Sequence, residues 1–182
     1  MENTKLALTL LLCYLLGGCA VGALPEQMTF KSEQPLGYDE ALLGEISVSE
    51  VKGGQTTNPL WTSEIGGIGF HTALKESLKL QGLLAEEGRF QLNPTFVKVD
   101  QPFAGFDMTV SSEINYILID TQTGQEVMNE NIVSEHTSTV GDAFLGSARL
   151  QHANEGAARN NIQQLLNRLS ELKLGGQVSL VF

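Results

Sequence analysis

An alternation of apolar and polar residues between Phe106 and Leu118 constrains the fold of this chain more than any other stretch. The odd positions from 107 to 115 are Asp, Thr, Ser, Glu and Asn, and the even positions include Phe106, Met108, Val110, Ile114, Tyr116 and Leu118. Successive side chains of a β-strand point to opposite faces of the sheet. The pattern therefore predicts a long strand whose even-numbered residues face the core and a helix, with solvent on the other face.

Weaker patterns predict three more strands. Residues 45–49 alternate and are followed by Gly53 and Gly54, which favours a short half-buried strand. Phe90, Leu92 and Phe96 mark another strand, in which Pro94 favours an edge position or a bulge. After turn residues at 120–124, a more polar strand is predicted over 125–139.

Two segments have the spacing of amphipathic helices. The first covers 63–81, with its leading serine, Ser63, as a possible N-cap and Gly82 just past its end. The second covers 147–172, with Ser147 as its N-cap and Gly175-Gly176 marking its end. The order of elements, β-α-β-β-β-α, predicts an α+β fold: an antiparallel sheet with two helices packed on one face. The domain is expected over 41–174, and 175–182 is either a loose tail or an edge strand.

The first 19 residues have the layout of an export signal. An apolar run from Leu6 to Leu16, interrupted only by Thr9, is too short to span a bilayer, which takes about 20 residues, and is followed by two glycines and a cysteine. Residues 1–18 are therefore predicted to be a removed signal peptide. Residues 19–40 show no sustained period and contain two prolines, so they are predicted to form a flexible tether.

The sequence Leu16-Gly17-Gly18-Cys19 resembles the lipobox of bacterial lipoproteins. The resemblance implies cleavage between Gly18 and Cys19, with lipid attached to Cys19 as the first residue of the mature protein. The alternative is that Cys19 only ends an ordinary secretory signal and the mature chain is soluble. Several acyl chains would anchor the protein firmly in a membrane, whereas one binds only marginally.

The charge of the chain excludes a nucleic-acid partner. It has 11 Lys and Arg against 21 Asp and Glu, a net charge of −10, without a basic cluster. Binding to phosphates depends on Lys and Arg that displace counterions. The acidic side chains are interpreted as a solvated exterior.

Motifs in the mature chain resemble small Gram-negative envelope lipoproteins of the YajG and LptE-like kind. These motifs are an Ala-Leu-x-x-Ser-Leu helix at 73–78, a hairpin reading Tyr116…Asp120…Gly124…Val127, and a closing helix reading Arg149-Leu150…Ala153…Glu155…Ala158-Arg159-x-Asn161-Ile162. The resemblance implies an outer-membrane or transport-auxiliary lipoprotein without known catalytic residues. In enterobacterial lipoproteins an Asp after the cysteine tends to retain the protein at the inner membrane. Ala20 stands there, which implies the outer membrane, facing the periplasm.

No motif for catalysis, a metal or a cofactor is complete. His71, His136 and His152 lack the spacing that places two histidines on one helix face to bind zinc. Gly67-Ile68-Gly69 has no third glycine, since position 72 is Thr, so it is not a dinucleotide loop. Ser147 lacks the flanking glycines of a nucleophile elbow. We therefore expect neither an enzyme nor a bound cofactor.

The segment 136–150 is polar but contains Val140, Phe144 and Leu145. Apolar side chains in a loop either pack back onto the core, which is the default, or contact a partner.

Two functions remain open. The chain is either a membrane-anchored accessory, assembly or transport-auxiliary factor with an envelope protein partner, or a small carrier with an apolar cavity of roughly 300 Å³ or more for a lipid or other ligand.

Overall fold

The computed structural model describes residues 21–32, 36–54 and 63–174. They form a four-stranded sheet in the order β1-β2-β3-β4 with helices on one face. The strands are Ile46–Val48 (β1), Phe90–Asp100 (β2), Met108–Asp120 (β3) and Gln125–Ser138 (β4). The helices are Pro25–Met28 (α1), Gly67–Leu80 (α2) and Gly146–Glu171 (α3), and Glu40–Leu42 form a 3₁₀ turn.

The topology is mixed rather than wholly antiparallel. Strands β2, β3 and β4 form the predicted antiparallel meander, but β1 pairs parallel with β2, with Ile46 opposite Phe90. The prediction is wrong at this strand because α2 carries the chain back to the starting end of β1 before β2 begins. The short helix α1, which precedes β1, was also not predicted.

Strand β3 has the predicted alternation. Its even-numbered residues are all buried and its odd-numbered residues are not. Tyr116 faces α3, where its hydroxyl donates to Asn161 Oδ1 at 2.8 Å. Phe106 is the exception: it precedes the first residue of β3 and is exposed, so its predicted core position is wrong. The alternation of a pleated strand does not extend into the turn before it.

Pro94 lies in an inner strand, not at an edge. Its carbonyl accepts from Lys52 N at 3.1 Å on the β1 side of the strand. The N–H that proline lacks would face the same side, between the end of β1 at Val48 and the isolated bridge of Lys52 with Thr95. The missing donor thus falls where the regular pairing of β1 with β2 is interrupted, and the bulge occurs later, between Phe96 and Lys98.

Both predicted serine N-caps are wrong. The N-cap residues are Gly66 for α2 and Leu145 for α3, and neither makes a side-chain cap bond. The end of α2 is as predicted: Gly82 has φ +71°, and Leu83 N donates to Leu78 O at 2.9 Å, the closing bond of a Schellman motif. Helix α3 ends at Glu171, while 175–182 lie outside the described residues.

The described part of the predicted tether is packed on the domain. Met28 is completely buried and its methyl group lies against Gly69 of α2. Phe30 N donates to Ser77 Oγ at 2.9 Å, and Leu24 N donates to Glu155 Oε1 at 3.0 Å. The expectation of a free tether is therefore wrong for residues 21–32, because these side chains and amides find partners on α2 and α3. None of the helices within the described ranges has the length and apolar character needed to cross a bilayer.

Candidate functional site

Two loops at one end of the sheet expose apolar side chains to solvent. The β2–β3 loop, 101–107, and the β4–α3 loop, 139–145, lie side by side there, and we call them together the apolar end. Its exposed large apolar residues, with their exposed fractions, are Phe103 (93%), Phe106 (86%), Phe144 (86%), Leu145 (60%) and Val140 (42%). Single exposed apolar residues are ordinary, but several in adjoining loops mark a contact surface.

Arg149 holds the two loops together. Its side chain is buried near the start of α3, and Nη1 donates to Ala143 O at 2.9 Å and to Phe144 O at 2.7 Å. Nη2 reaches the other loop and donates to Gly105 O at 3.2 Å. Hydrogen bonds from a charged donor are stronger than neutral ones. The exposed aromatic side chains are therefore carried on backbone that one buried guanidinium fastens.

Asp142 shapes the β4–α3 loop. Its carboxylate accepts from Thr139 N at 2.7 Å and from Thr139 Oγ1 at 2.9 Å. These two bonds lower the pKa of Asp142 below its usual value, although desolvation opposes the shift. The loop is thus a hydrogen-bonded turn that keeps its conformation at neutral pH.

The predicted partner-binding residues are exposed, and the default expectation that they pack on the core is wrong. The carbonyls of residues 143 and 144 turn toward Arg149, while Phe144 and Leu145 extend into solvent. Sequence reasoning missed Phe103 and misplaced Phe106. Their signal was available: Phe103-Ala-Gly-Phe106 is an apolar, glycine-containing loop like Phe144-Leu145-Gly146.

A polar cavity of about 380 Å³ opens beside the β4–α3 loop. It brings together two histidines that are distant in sequence, and its lining is Leu24, Gln27, His136, Ser138, Asp142, Gln151, His152, Glu155 and Arg159. His71 lies elsewhere, on α2. No cluster of three or more His, Cys, Asp or Glu that could hold a metal occurs in 21–32, 36–54 or 63–174.

His136 packs against α3 where the helix has a glycine, Gly156. A Cβ on Gly156 would overlap the imidazole ring of His136, so the absence of a side chain there lets the ring approach the helix. Burial, and secondarily the positive charge of Arg159, lower the pKa of His136 below its usual value. The neutral imidazole is therefore the form that the fold favours.

The cavity's charged groups hold the N-terminal segment. Glu155 accepts from Leu24 N at 3.0 Å and from Gln151 Nε2 at 2.9 Å, and Arg159 Nη1 donates to Gln27 O at 2.7 Å. Just before this point Ala23 N donates to Glu64 O at 3.1 Å. These hydrogen bonds give Glu155 and Arg159 a structural role, since they fix the segment that leads back toward Cys19. Gly18 and Cys19 themselves lie outside the described residues.

No protein-family model matches the chain, and no curated protein matches it in sequence. The fold recurs in solved structures of other bacterial proteins. A candidate lipoprotein from Caulobacter crescentus superposes with a TM-score of 0.52 at 17% identity, over 72% of this chain and 92% of that one. A Xanthomonas campestris protein assigned to the family DUF330 superposes with a TM-score of 0.56 at 10% identity, over 84% of this chain and 93% of that one.

A hypothetical protein from Chlamydia trachomatis gives a TM-score of 0.50 at 8% identity, over 70% of this chain and 95% of that one. At these identities the likeness is one of fold. The fold described above is thus one that Gram-negative bacteria use in proteins that include a candidate lipoprotein. Function must be argued from the residues of this chain.

Proposed function

We propose that this protein is a lipid-anchored, non-catalytic lipoprotein of the bacterial envelope that acts as an accessory, assembly or transport-auxiliary factor. Cys19 is the lipidated residue, Gly18 is the last residue removed, and the domain faces the periplasm from the outer membrane. Its partner is another envelope protein, which this domain meets while held at the membrane.

The observation that carries the proposal is the fastening of the chain just behind Cys19. Ala23 and Leu24 donate their amides to Glu64 O and to Glu155 Oε1, and Met28 is buried a few residues later. A lipid on Cys19 would therefore hold the domain within a short, defined distance of the bilayer. Such an arrangement suits a protein that presents a surface at a fixed height above the membrane.

The packing disfavours the alternative of an apolar carrier. Facing side chains of the sheet and of α3 are completely buried against one another, including Ile114, Tyr116, Leu118, Ile162, Leu165 and Leu166. Cavities of about 380, 350 and 450 Å³ adjoin the described residues, but each is lined mainly by polar and charged side chains. An apolar ligand needs a predominantly apolar pocket.

Lipidation is tested on the N-terminal peptide of the protein isolated from its own membranes. We expect a peptide that begins at Cys19 and carries diacylglyceryl and acyl groups. Cys19→Ser should leave the precursor uncut or release the protein from the membrane, and Cys13→Ser is the matched control that should change neither. An unmodified peptide beginning at any other residue would contradict the proposal.

The site of residence is tested by membrane fractionation. The protein should band with the outer membrane, and Ala20→Asp should shift it toward the inner membrane where that sorting rule operates, whereas Ala20→Ser should not. Affinity isolation from detergent-solubilised envelope, with Cys19→Ser as the unanchored control, should recover a partner that depends on anchoring. Recovery of the same proteins with both chains would argue against an anchored role.

A further inference from the structure

The most exposed large apolar side chains in the described ranges share one end of the molecule. Phe103, Phe106 and Phe144 belong to the apolar end, and Ile68, which is 88% exposed, lies in the first turn of α2. That turn is near the same loops, because Gln101 Nε2 donates to Glu64 Oε1 at 2.6 Å just before α2 begins. By contrast, Leu43 and Leu80, near the other end of α2, are each about half exposed.

The chain that leads back to Cys19 leaves the domain near this end. Ala23 is bonded to Glu64, and Glu64 to Gln101 at the start of the β2–β3 loop. Glu155, which holds Leu24, lies nine residues into α3, about 14 Å from its first residue at 1.5 Å per residue. The five residues from Leu24 back to Cys19 can span up to about 17 Å. A fully extended segment that runs toward the start of α3 would bring Cys19 level with Gly146, where the β4–α3 loop ends.

The composition of the two loops suits a bilayer interface. Phenylalanine side chains stand at the tips, and no Lys or Arg occurs in either loop. The two acidic residues there, Asp107 and Asp142, are both exposed, and the carboxylate of Asp142 is hydrogen-bonded to Thr139. Attraction to the membrane would then come from buried apolar area and not from basic residues. Aromatic and aliphatic side chains at the acyl boundary add binding in proportion to the apolar area they bury.

We infer that the apolar end is a membrane-docking surface: Phe103, Phe106, Phe144 and Leu145 enter the interface of the phospholipid bilayer beside the acyl chains of Cys19. This inference rests on the proposed lipid anchoring and adds the orientation of the domain. The hydrogen bonds from the Arg149 side chain to backbone carbonyls keep the loop tips in place during insertion. The β3–β4 turn, at the opposite end of both strands, is then directed away from the membrane.

The test uses the full chain reconstituted in vesicles of phosphatidylethanolamine with a minor share of phosphatidylglycerol. Single cysteines at Phe106→Cys and Phe144→Cys carry an environment-sensitive fluorophore, and Gln122→Cys in the opposite turn is the matched exposed control. Nitroxide lipids labelled near the headgroup should quench the first two probes several-fold more than the third. The parent chain, labelled identically, reports any reaction at Cys13 or Cys19.

Two further variants make the test specific to the apolar end. Phe103→Ser together with Phe106→Ser should reduce quenching at position 144 toward the level at 122, whereas Leu43→Ser should leave it unchanged. Equal quenching at 144, 106 and 122 would overturn the inference. A blue-shifted probe that the lipids do not quench would also overturn it, since burial against a protein partner or a second copy would give that result.

Mass spectrometry of the same samples separates the two proposals. A chain without lipid on Cys19 whose loop probes are quenched would refute the anchor and retain the docking surface. A lipidated chain whose loop probes are unquenched would retain the anchor and refute the docking surface.

Discussion

The sheet–helix interface and the apolar end differ in whether their apolar side chains are buried. At the interface, Tyr116 is completely buried and its hydroxyl bonds Asn161, whose amide donates to Ile132 O at 2.9 Å and to Ser112 O at 3.3 Å. At the apolar end, the guanidinium of Arg149 is buried and phenylalanine side chains are exposed. Tyr116, Asn161 and both Nη atoms of Arg149 have hydrogen-bond partners, while Arg149 Nε has none among the described residues. Only at the interface are the apolar groups removed from water.

This difference separates residues that stabilise the fold from residues available for contact. Burial of apolar area supplies most of the favourable free energy of folding, so the interface determines stability. The exposed loop tips contribute little to it, and their conformation is maintained instead by hydrogen bonds from the Arg149 and Asp142 side chains to backbone groups. Substitutions in the two regions should therefore have very different effects, and the following measurements test this.

Tyr116→Ala should have the largest effect. It removes a completely buried ring and leaves Asn161 without its donor, so we expect a loss of about 3–5 kcal/mol in the free energy of unfolding. Tyr116→Phe removes only the hydroxyl and should cost about 1–3 kcal/mol. Denaturant titration measures both. An unchanged midpoint for Tyr116→Ala would show that the even face of β3 is not the core.

Arg149→Met should destabilise the loops more than the rest of the protein. It retains most of the aliphatic stem and removes three hydrogen bonds to carbonyls, with an expected cost of about 1–3 kcal/mol. Amide hydrogen exchange should increase in 101–107 and 139–145 while β3 stays protected. Uniformly faster exchange would mean that Arg149 supports the whole domain instead of the apolar end.

Gly156→Ala should cost about 1–3 kcal/mol, because its methyl group overlaps the His136 ring. In a His136→Ala background the same change should stabilise, since Ala is favoured over Gly in a helix by about 1 kcal/mol. A double-mutant cycle by thermal unfolding gives this change of sign. The same cost in both backgrounds would show that the ring is not what the glycine accommodates.

A smaller effect is expected from acid. The hydrogen bond from Arg89 holds the pKa of Asp120 below its usual value, aided by the amide of Gln122. The unfolded chain, with a pKa of about 3.9, therefore binds the proton first as pH falls. The stabilisation is full above that pH and is lost as pH falls toward the folded pKa.

The free energy of unfolding, measured as pH falls through this range, should decrease less steeply for Asp120→Asn than for the parent chain. Asp100→Asn, in an exposed pair with Lys98, is the control for removing a carboxylate from a surface pair. Identical acid dependence of the Asp120 variant and the parent would contradict the assignment.

Phe144→Ser should have the smallest effect on stability, within about 0.5 kcal/mol, as for other exposed positions. The side chain buries little area in the folded protein, so little is lost in water. Thermal unfolding of the variant beside Leu118→Ala, which should lose about 2–5 kcal/mol, measures the contrast. A large loss at Phe144 would assign the loop to the core after all.

Local periodicity was sufficient for the meander and for the existence of both long helices. The pleat of a strand and the turn of a helix impose a period on any chain that buries one face, so Met108 to Leu118 and the stripe ending at Leu169 could be interpreted without other information. The αL glycine at 82 marked a helix end for the same local reason. Lipidation of Cys19 and cleavage after Gly18 also depend on local sequence, and they stay predictions.

The remaining features depend on contacts between residues far apart in the chain. The parallel pairing of β1, the docking of 21–32 on α2 and α3, and the bonds from Arg149 to both loops join segments up to 132 positions apart. No periodic pattern in the sequence identifies such partners, because every residue has the same backbone carbonyl. Only the fold determines which side-chain donor lies near which carbonyl. The same reason left Phe106 ambiguous: its sequence parity matched the core, but only the position where β3 begins decided that the ring faces solvent.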